Sequence, residues 1–215
     1  MKNSFFEKIS FCLFLMAFLI SCEEVPIIVE PALSVGDCVP VSFDLVENQR
    51  RQVLVEEFTG VRCVNCPEGS EELERLIGQY GDQVVVLSFH AGFFSDPYPE
   101  SQEDFRTTAG DGLLSFLGSP LGYPASIINR KKFNGANRLH QVGTSLWNSS
   151  IAAELELPLM VRLYGLPNYN AQDNSLSVQL SVFWEETFTA EEEIRMSLFL
   201  IENNIADSQE TPQGV

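Results

Sequence analysis

The chain has 215 residues, and its 30 acidic side chains outnumber its 13 Lys and Arg, giving a formal net charge of -17. Nucleic-acid binding needs clustered Lys and Arg, and adsorption to an anionic bilayer needs a polybasic patch, so this charge balance argues against both. The length allows one large domain or two small ones.

Residues 1–21 have the features of a bacterial signal peptide. Lys2 and Lys8 give a basic start, and the apolar run after them is shorter than the roughly 20 residues that span a bilayer. The run ends in Leu-Ile-Ser-Cys, which resembles the lipobox of bacterial lipoproteins. That resemblance implies cleavage before Cys22 and acylation of its thiol and new amino group. The alternative is an ordinary secretory peptide with a chance cysteine.

Three cysteines then remain for the folded part, because Cys12 leaves with the signal peptide and Cys22 is lipidated. An exported compartment permits disulfides. The spacing pairs Cys63 with Cys66 and leaves Cys38 as a spare thiol in a turn-like stretch. A resolving or intermolecular role for Cys38 stays open.

The first predicted elements are a tether and a buried strand. Residues 22–49 contain three prolines and no long periodic segment, which indicates a tether and the start of the domain, with a short strand at Val39–Phe43. Val53–Phe58 is almost continuously apolar, as is typical of a strand buried in a parallel sheet. A helix follows, with an apolar stripe over Leu73–Tyr80 and Gly81 at its end.

The cysteine pair lies where this strand gives way to the helix. If the helix begins at Cys63, this thiol faces the positive end of the helix dipole, which favours its thiolate. Cys66 then lies on the same helical face and can close a disulfide. If Ser70 is the N-cap instead, the pair hangs on a loop and loses most of that effect. We favour the start at Cys63, where Pro67 is still tolerated.

The next segments complete an α/β domain over residues 50–155. In chain order we expect a strand at Val84–Phe89, an insertion at 91–122 with a helical portion near Ser101–Leu117, a strand at Ala125–Ile128, a paired strand at Lys131–Phe133, a turn at Asn134-Gly135, and a closing helix from about Arg138 to Glu154. The predicted order is β-α-β-α-β-β-α.

The pattern changes over residues 156–215. Partial alternation at Leu155–Leu163, Leu176–Trp184 and Ile194–Ile201 predicts a three-stranded antiparallel, sandwich-like segment. Three strands are few for an independent sandwich. The chain is therefore a fragment of a longer protein, or these strands pack on the first domain.

Three features together resemble the thioredoxin superfamily over residues 50–155. They are the strand that leads into Cys63-Val64-Asn65-Cys66, the Tyr123-Pro124 pair directly before the third strand, and Glu57, six residues before the first cysteine. The resemblance implies a cis-proline at Pro124 that faces the dithiol, and a buried acid at Glu57 that moves protons to and from the second cysteine. It also implies that the Cys63 thiolate attacks a substrate disulfide and that Cys66 resolves the mixed disulfide.

More specific motifs resemble the outer-membrane-protein-28-related lipoproteins, which are thioredoxin-like proteins followed by a β-domain. The motifs are Phe58-Thr59-Gly60-x-Arg62-Cys63-x-Asn65-Cys66-Pro67, Gly122-Tyr123-Pro124, Asn129-Arg130 and Phe199-Leu200-Ile201-Glu202-Asn203. The resemblance implies a lipoprotein of the outer membrane that faces the periplasm or the cell surface. The sequence departs from thioredoxins at Arg62, where they carry Trp, and in the Val-Asn between the cysteines. Arg62 adds positive potential beside Cys63, which favours its thiolate.

Several side chains have structural alternatives. The pair Cys63 and Cys66 can be a fixed disulfide that only closes the turn. Glu57 can be solvated, because Glu56 beside it points to the opposite face and we expect only one of them to be inward. His90 ends the second strand, where it can neighbour the dithiol or serve as a structural histidine. Zinc needs about four ligands, so with only two histidines in the chain we expect no metal.

The remaining aromatic residues are assigned to packing or to substrate contact. The insertion Phe93–Pro99 can contact a substrate or pack over the sheet edge, and Trp147 and Trp184 are expected in the core.

Two functions remain. The first is a lipid-anchored thiol–disulfide oxidoreductase of the bacterial cell envelope that acts on protein thiols and disulfides through Cys63 and Cys66 and needs no cofactor. In it, Pro124 and Glu57 complete the site, and Arg62, Tyr123 and His90 modulate it. The second is a non-catalytic surface lipoprotein that binds or assembles partners and keeps a structural disulfide.

Overall fold

The described part of the chain is residues 41–133, 135–185 and 195–215 of a computed structural model. The predictions made for the signal peptide, for acylation at Cys22 and for Cys38 lie outside these residues. Helix α1 (Phe43–Glu47) stands where the sequence favoured the end of a strand. Asp44 lies in its first turn, where a carboxylate is favoured by the helix dipole.

The main domain contains the predicted order of elements. The strands and helices are β1 (Val53–Thr59), α2 (Cys66–Tyr80), β2 (Val84–His90), α3 (Thr108–Leu117), β3 (Ala125–Ile128), β4 (Gln141–Val142) and α4 (Trp147–Leu155), with a short 3-10 turn at Gly81–Gln83. The fold of this part is therefore mixed α/β.

The four strands form one mixed sheet in the order β2-β1-β3-β4. β1 and β2 are parallel, with Val53 opposite Val84 and Thr59 opposite His90. β3 runs antiparallel to β1, and β4 runs antiparallel to β3. β1 is thus an interior strand with a neighbour on each side, which explains why all its residues except Leu54 are buried, Glu56 and Glu57 included.

Helices cover both faces of this sheet. On one face, Val53 and Val55 of β1 pack with residues of α2 and α4, including Leu76 and the fully buried Trp147. On the other face, Phe58 packs with Leu114 of α3. Because successive strand residues point to opposite faces, Glu57 shares the α2 face with Val53 and Val55.

Three boundaries differ from the prediction. α3 begins at Thr108 and not near Ser101, because the Thr107 side chain accepts the Gly110 N–H at 2.9 Å and caps the helix there. The strand beside β3 is Gln141–Val142 and not Lys131–Phe133, since the Lys131 N–H closes a turn on the Ile128 carbonyl. α4 consequently begins at Trp147 and not near Arg138.

The C-terminal region holds a separate two-stranded antiparallel sheet, β5 (Val161–Asn170) with β6 (Ser175–Trp184). The predicted strand over Leu155–Leu163 begins later because α4 continues to Leu155. Of the third predicted strand, Ile194 lies outside the described residues, and 195–201 contain no strand. The expectation that Trp184 is a core residue is wrong, because its side chain is 42% exposed.

Membrane-spanning helices were sought across the same described residues. None of the helices there combines the length and the apolar character that crossing a bilayer requires.

Candidate functional site

Cys63 and Cys66 form a disulfide in the turn between β1 and α2, with their Cα atoms 5.3 Å apart. The Cys63 N–H donates to the Gly60 carbonyl at 3.0 Å, and the Cys66 N–H donates to the Cys63 carbonyl at 3.1 Å. Gly60 is needed here, because a Cβ atom on it would lie 2.3 Å from the Phe94 carbonyl oxygen.

The helix α2 begins at Cys66, between the two starts that the sequence allowed. Asn65 is its N-cap residue, and Pro67 falls in the first turn, where a missing N–H costs little. Cys63 therefore precedes the helix, and the expectation that both cysteines share one helical face is wrong. Cys66 is the cysteine at the positive end of the helix dipole.

Both cysteines are buried. Cys63 is 3% exposed and Cys66 is 1% exposed, so the disulfide lies beneath the protein surface. Reactive cysteines usually have partial access to solvent. Any exchange partner must therefore reach this disulfide past the residues that cover it.

Glu57 is a buried acid on the sheet face that α2 covers, and it is 1% exposed. Its Oε2 accepts the Ser88 hydroxyl at 2.5 Å, while its Oε1 has no hydrogen-bond partner within the described part of the chain. Burial raises the pKa of Glu57 above its usual range, and the Ser88 hydrogen bond only partly opposes this shift. The alternative of a solvated Glu57 is thus wrong.

Pro124 and Glu57 meet at the first turn of α2. The Tyr123–Pro124 peptide bond is cis. A Cβ atom on Gly69 would lie 2.8 Å from the Pro124 Cβ and 3.2 Å from the Glu57 Oε1. Gly69 is three residues after Cys66 and so lies on the same side of the helix. The structure thus brings Pro124, Glu57 and the Cys66 turn together.

Sequence reasoning missed Gly69 and Ser88. A glycine inside a helix costs about 1 kcal/mol relative to alanine, and this cost is the signal that could have marked Gly69 as a point of close approach. Ser88 gave no such signal. Only the register of β1 and β2, in which Glu57 lies opposite Ser88, makes it the partner of the acid.

Glu56 is a second buried carboxylate, on the opposite face of the sheet, and the expectation that only one of the two acids is inward is wrong. The Arg130 guanidinium donates to both Glu56 oxygens at 2.8 and 2.6 Å. Asn129 and Arg130 both have positive φ angles, at 45° and 51°, which is uncommon outside glycine. The Leu54 N–H donates to the Asn129 Oδ1 at 2.8 Å, so these two residues bind β1 at its main chain and at the Glu56 side chain.

Arg62 holds the aromatic insertion against the disulfide turn. Its guanidinium donates to the Asp96 and Pro97 carbonyls at 2.7 and 2.6 Å and lies 4.9 Å from the centre of the Tyr98 ring. The Arg62 N–H also donates to the Phe94 carbonyl at 3.0 Å. The insertion is therefore part of the wall of the site.

Tyr123 and His90 lie at the same edge of the sheet. The Tyr123 hydroxyl donates to the Ala91 carbonyl at 2.9 Å, and its ring packs edge-on against Phe94. His90 packs against the Phe105 ring at 4.8 Å, and burial lowers its pKa. These contacts show both side chains engaged in packing the insertion.

A segment near the end of the chain also reaches the disulfide turn. The Glu210 N–H donates to the Val61 carbonyl at 2.7 Å, and the Gln209 side-chain amide donates to the Cys63 carbonyl at 3.1 Å. We call Asp207–Glu210 the C-terminal strap. The sequence carried no signal for it, because the segment is polar and without periodicity.

No group of three or more His, Cys, Asp or Glu side chains among the described residues is placed to hold a metal ion.

The chain has little detectable similarity to known proteins. No protein-family profile matches the chain, and no curated protein matches it. A crystal structure of a protein from Agrobacterium tumefaciens, determined by a structural genomics consortium, is similar to it with 22% identity and a TM-score of 0.39. The similar region covers 57% of this chain and 54% of that protein, about half the length of each. A likeness this distant carries no argument about fold or activity.

Proposed function

We propose that this protein is a thioredoxin-like thiol–disulfide oxidoreductase that exchanges disulfides through Cys63 and Cys66. The observation that carries the proposal is Glu57, a buried acid with one unpartnered oxygen beside the first turn of the helix that starts at Cys66. Burial of a carboxyl group costs stability. A disulfide that only closes a turn needs no buried carboxyl group beside it. A thiol that must gain and lose a proton needs a nearby group that supplies and accepts that proton.

The architecture supports the thioredoxin-like assignment. A parallel β1-α2-β2 unit is followed by two antiparallel strands and a helix, and the disulfide joins the end of β1 to the start of α2. Pro124, before the third strand, also lies against the first turn of the helix that starts at Cys66, and the resemblance implies a proline there that faces the dithiol.

The exchange can be written in the reducing direction. The Cys63 thiolate attacks one sulfur of a substrate disulfide, and the other substrate sulfur leaves as a thiolate that takes up a proton. Glu57 then accepts the proton of the Cys66 thiol, and the Cys66 thiolate attacks the Cys63 sulfur in the mixed disulfide. The bond from Cys63 to the substrate breaks, and the second substrate sulfur leaves as a thiolate that takes up a proton. The products are a reduced substrate and the Cys63–Cys66 disulfide present in this structure. The reverse sequence donates a disulfide.

Different features near the cysteines stabilise the thiolate and transfer the proton. Cys66 lies at the start of α2, where the dipole stabilises a thiolate. Glu57 lies against the first turn of the same helix, and its raised pKa suits a group that both supplies and removes a proton. Ser88 is exposed and holds the other carboxyl oxygen, so it links the buried acid to the surface.

Burial of both cysteines favours a second candidate function. A disulfide with both partners 3% exposed or less can be a structural link that holds the turn for a binding or assembly protein. This candidate predicts that the disulfide is stable against physiological reductants and that no turnover occurs.

The cellular setting in this proposal comes from the amino terminus. Acylation at Cys22 would tether the domain to the outer membrane by lipid, in the manner of the outer-membrane-protein-28-related lipoproteins that the motifs resemble. Substrates would then be exported proteins that carry thiols or disulfides.

Turnover with matched variants tests the proposal. The reduced protein should reduce a disulfide-bonded polypeptide catalytically in the presence of excess dithiol. Cys63→Ser should abolish the protein-dependent rate, and Glu57→Gln should lower it about 100-fold, the lower end of the range for loss of a general acid–base group. Cys38→Ser is the matched control because it removes a thiol outside the pair, and it should retain the rate. Turnover that persists in Cys63→Ser would discard this nucleophile, and no turnover in the parent would favour the structural link.

A further inference from the structure

The C-terminal strap donates hydrogen bonds to the disulfide turn from its main chain and from one side chain. The Glu210 N–H donates to the Val61 carbonyl at 2.7 Å, and the Gln209 amide nitrogen lies 3.1 Å from the Cys63 carbonyl and 3.4 Å from the Gly60 carbonyl. The strap therefore satisfies main-chain acceptors on both sides of Arg62, within the turn that carries the first cysteine.

The acidic side chains of the strap meet the aromatic insertion. The Tyr98 hydroxyl donates to the Glu210 carboxylate, and the Arg62 guanidinium lies over the same Tyr98 ring. The Asp207 carboxylate accepts the Glu103 N–H at 2.6 Å. The surface thus combines main-chain acceptors with groups that suit a carboxylate.

We propose that the surface formed by Val61–Cys63 and Tyr98 is a docking site for an extended polypeptide that carries an amide side chain followed by an acidic one. The C-terminal strap is its occupant in this chain and yields the site to a competing polypeptide. The competitor's identity as a redox substrate rests on the proposed function, whereas docking itself requires no turnover.

The nature of these contacts explains why another polypeptide can displace the strap. A main-chain N–H on a turn carbonyl can be supplied by any extended polypeptide, and the amide-plus-acid pair adds the preference. Each hydrogen bond adds only modest net stability, so a competing segment can displace the strap. The Gln209 amide contacts the Cys63 carbonyl itself, so the strap adjoins the first cysteine of the pair.

The first test measures stoichiometric reduction of the Cys63–Cys66 disulfide by dithiothreitol in the full chain. The Gln209→Ala/Glu210→Pro variant lacks the amide donor and the main-chain donor, and it should be reduced about tenfold faster. Gln209→Ala alone should give about threefold, and it keeps the backbone donor should the double variant fold poorly. Gln213→Ala removes the same kind of side chain four residues on, outside the contacts with the turn, and should stay within about twofold of the parent.

The second test measures binding of a labelled synthetic peptide with the sequence of residues 205–213 by fluorescence anisotropy. The peptide should bind the double variant at least about tenfold more tightly than the parent, because its site is then vacant, and should slow reduction again. A scrambled peptide should do neither. Equal reduction rates in the parent and the double variant, or equal binding of both peptides, would overturn the docking site. Absence of catalytic turnover with peptide binding intact would overturn only the redox function.

Discussion

Replacement of Glu57 by glutamine should change the pH dependence of stability in a defined direction. Below the ordinary Glu pKa of 4.5 the carboxyl group is protonated in both the native and the unfolded chain. Above it, the unfolded chain releases the proton while native Glu57 keeps it, because burial raises the native pKa. Unfolding then releases a proton, so the parent loses stability as the pH rises, until the pH passes the native pKa.

The free energy of unfolding of Glu57→Gln relative to the parent should therefore rise with pH above 4.5, with a limiting slope of about 1.4 kcal/mol per pH unit. Urea titrations of both proteins between about pH 4 and pH 8 measure this difference, and contributions from other groups largely cancel in it. Glu72→Gln should give the opposite sign at lower pH, because the Arg75 hydrogen bond lowers the pKa of Glu72: its difference from the parent falls as the pH rises toward 4.5 and is flat above it. A flat or falling difference for Glu57→Gln would refute a raised native pKa.

Three further changes test the packing and charges around the site. Gly69→Ala should destabilise the protein by about 1–3 kcal/mol, because the added Cβ would press on Pro124. Gly78→Ala, whose added Cβ meets nothing within 4 Å, should stabilise the protein by about 0.5–1 kcal/mol. Chemical denaturation measures both changes. Ser88→Ala should raise the pKa of Glu57 further, since it removes the hydrogen bond that lowers it; carboxyl-carbon NMR titration would show an unchanged midpoint if this reasoning were wrong. Arg130→Met should destabilise by about 3 kcal/mol because it leaves Glu56 buried without its partner, and a Glu56→Met/Arg130→Met double variant should recover most of the loss; no recovery would mean that Arg130 acts elsewhere.

The sequence predicted the interior of the sheet well, for a physical reason. β1 and β3 are buried along almost their whole length, and β2 begins with an apolar run, so the sequences of these strands differ sharply from the turns around them. The starts of α3 and α4 were missed because local contacts set them. Thr107 caps α3, and the two-residue strand Gln141–Val142 takes the place of the first turns predicted for α4.

The C-terminal region was predicted less well. Partial alternation identified β6 with nearly its observed bounds, but the same kind of pattern over 195–201 gave no strand. A strand needs a partner as well as a suitable sequence, and sequence periodicity reports only the second. The exposure of Trp184 has the same origin, because a two-stranded sheet has little core to offer a large side chain.

The sequence predicted the residues of the candidate site that belong to recognisable local motifs, and it missed the residues that reach the site only through the tertiary fold. The cysteine turn, Glu57 and Pro124 were each recognisable from nearby sequence. The partners Ser88, Gly69 and the C-terminal strap depend on strand register, helix packing and a contact spanning 146 residues, from Cys63 to Gln209. Only the folded chain determines those distances.

Coupling between Glu57 and the cysteine pair is the central claim, and NMR titration of the Glu57 side-chain carboxyl in the oxidised and the reduced protein tests it most directly. We predict a pKa above the ordinary value in both states and a changed titration on reduction, because a Cys66 thiol at the start of the helix that Glu57 contacts then couples to its proton equilibrium. Identical titration curves in the two states would contradict a proton-transfer role for Glu57 and leave the disulfide as a structural link.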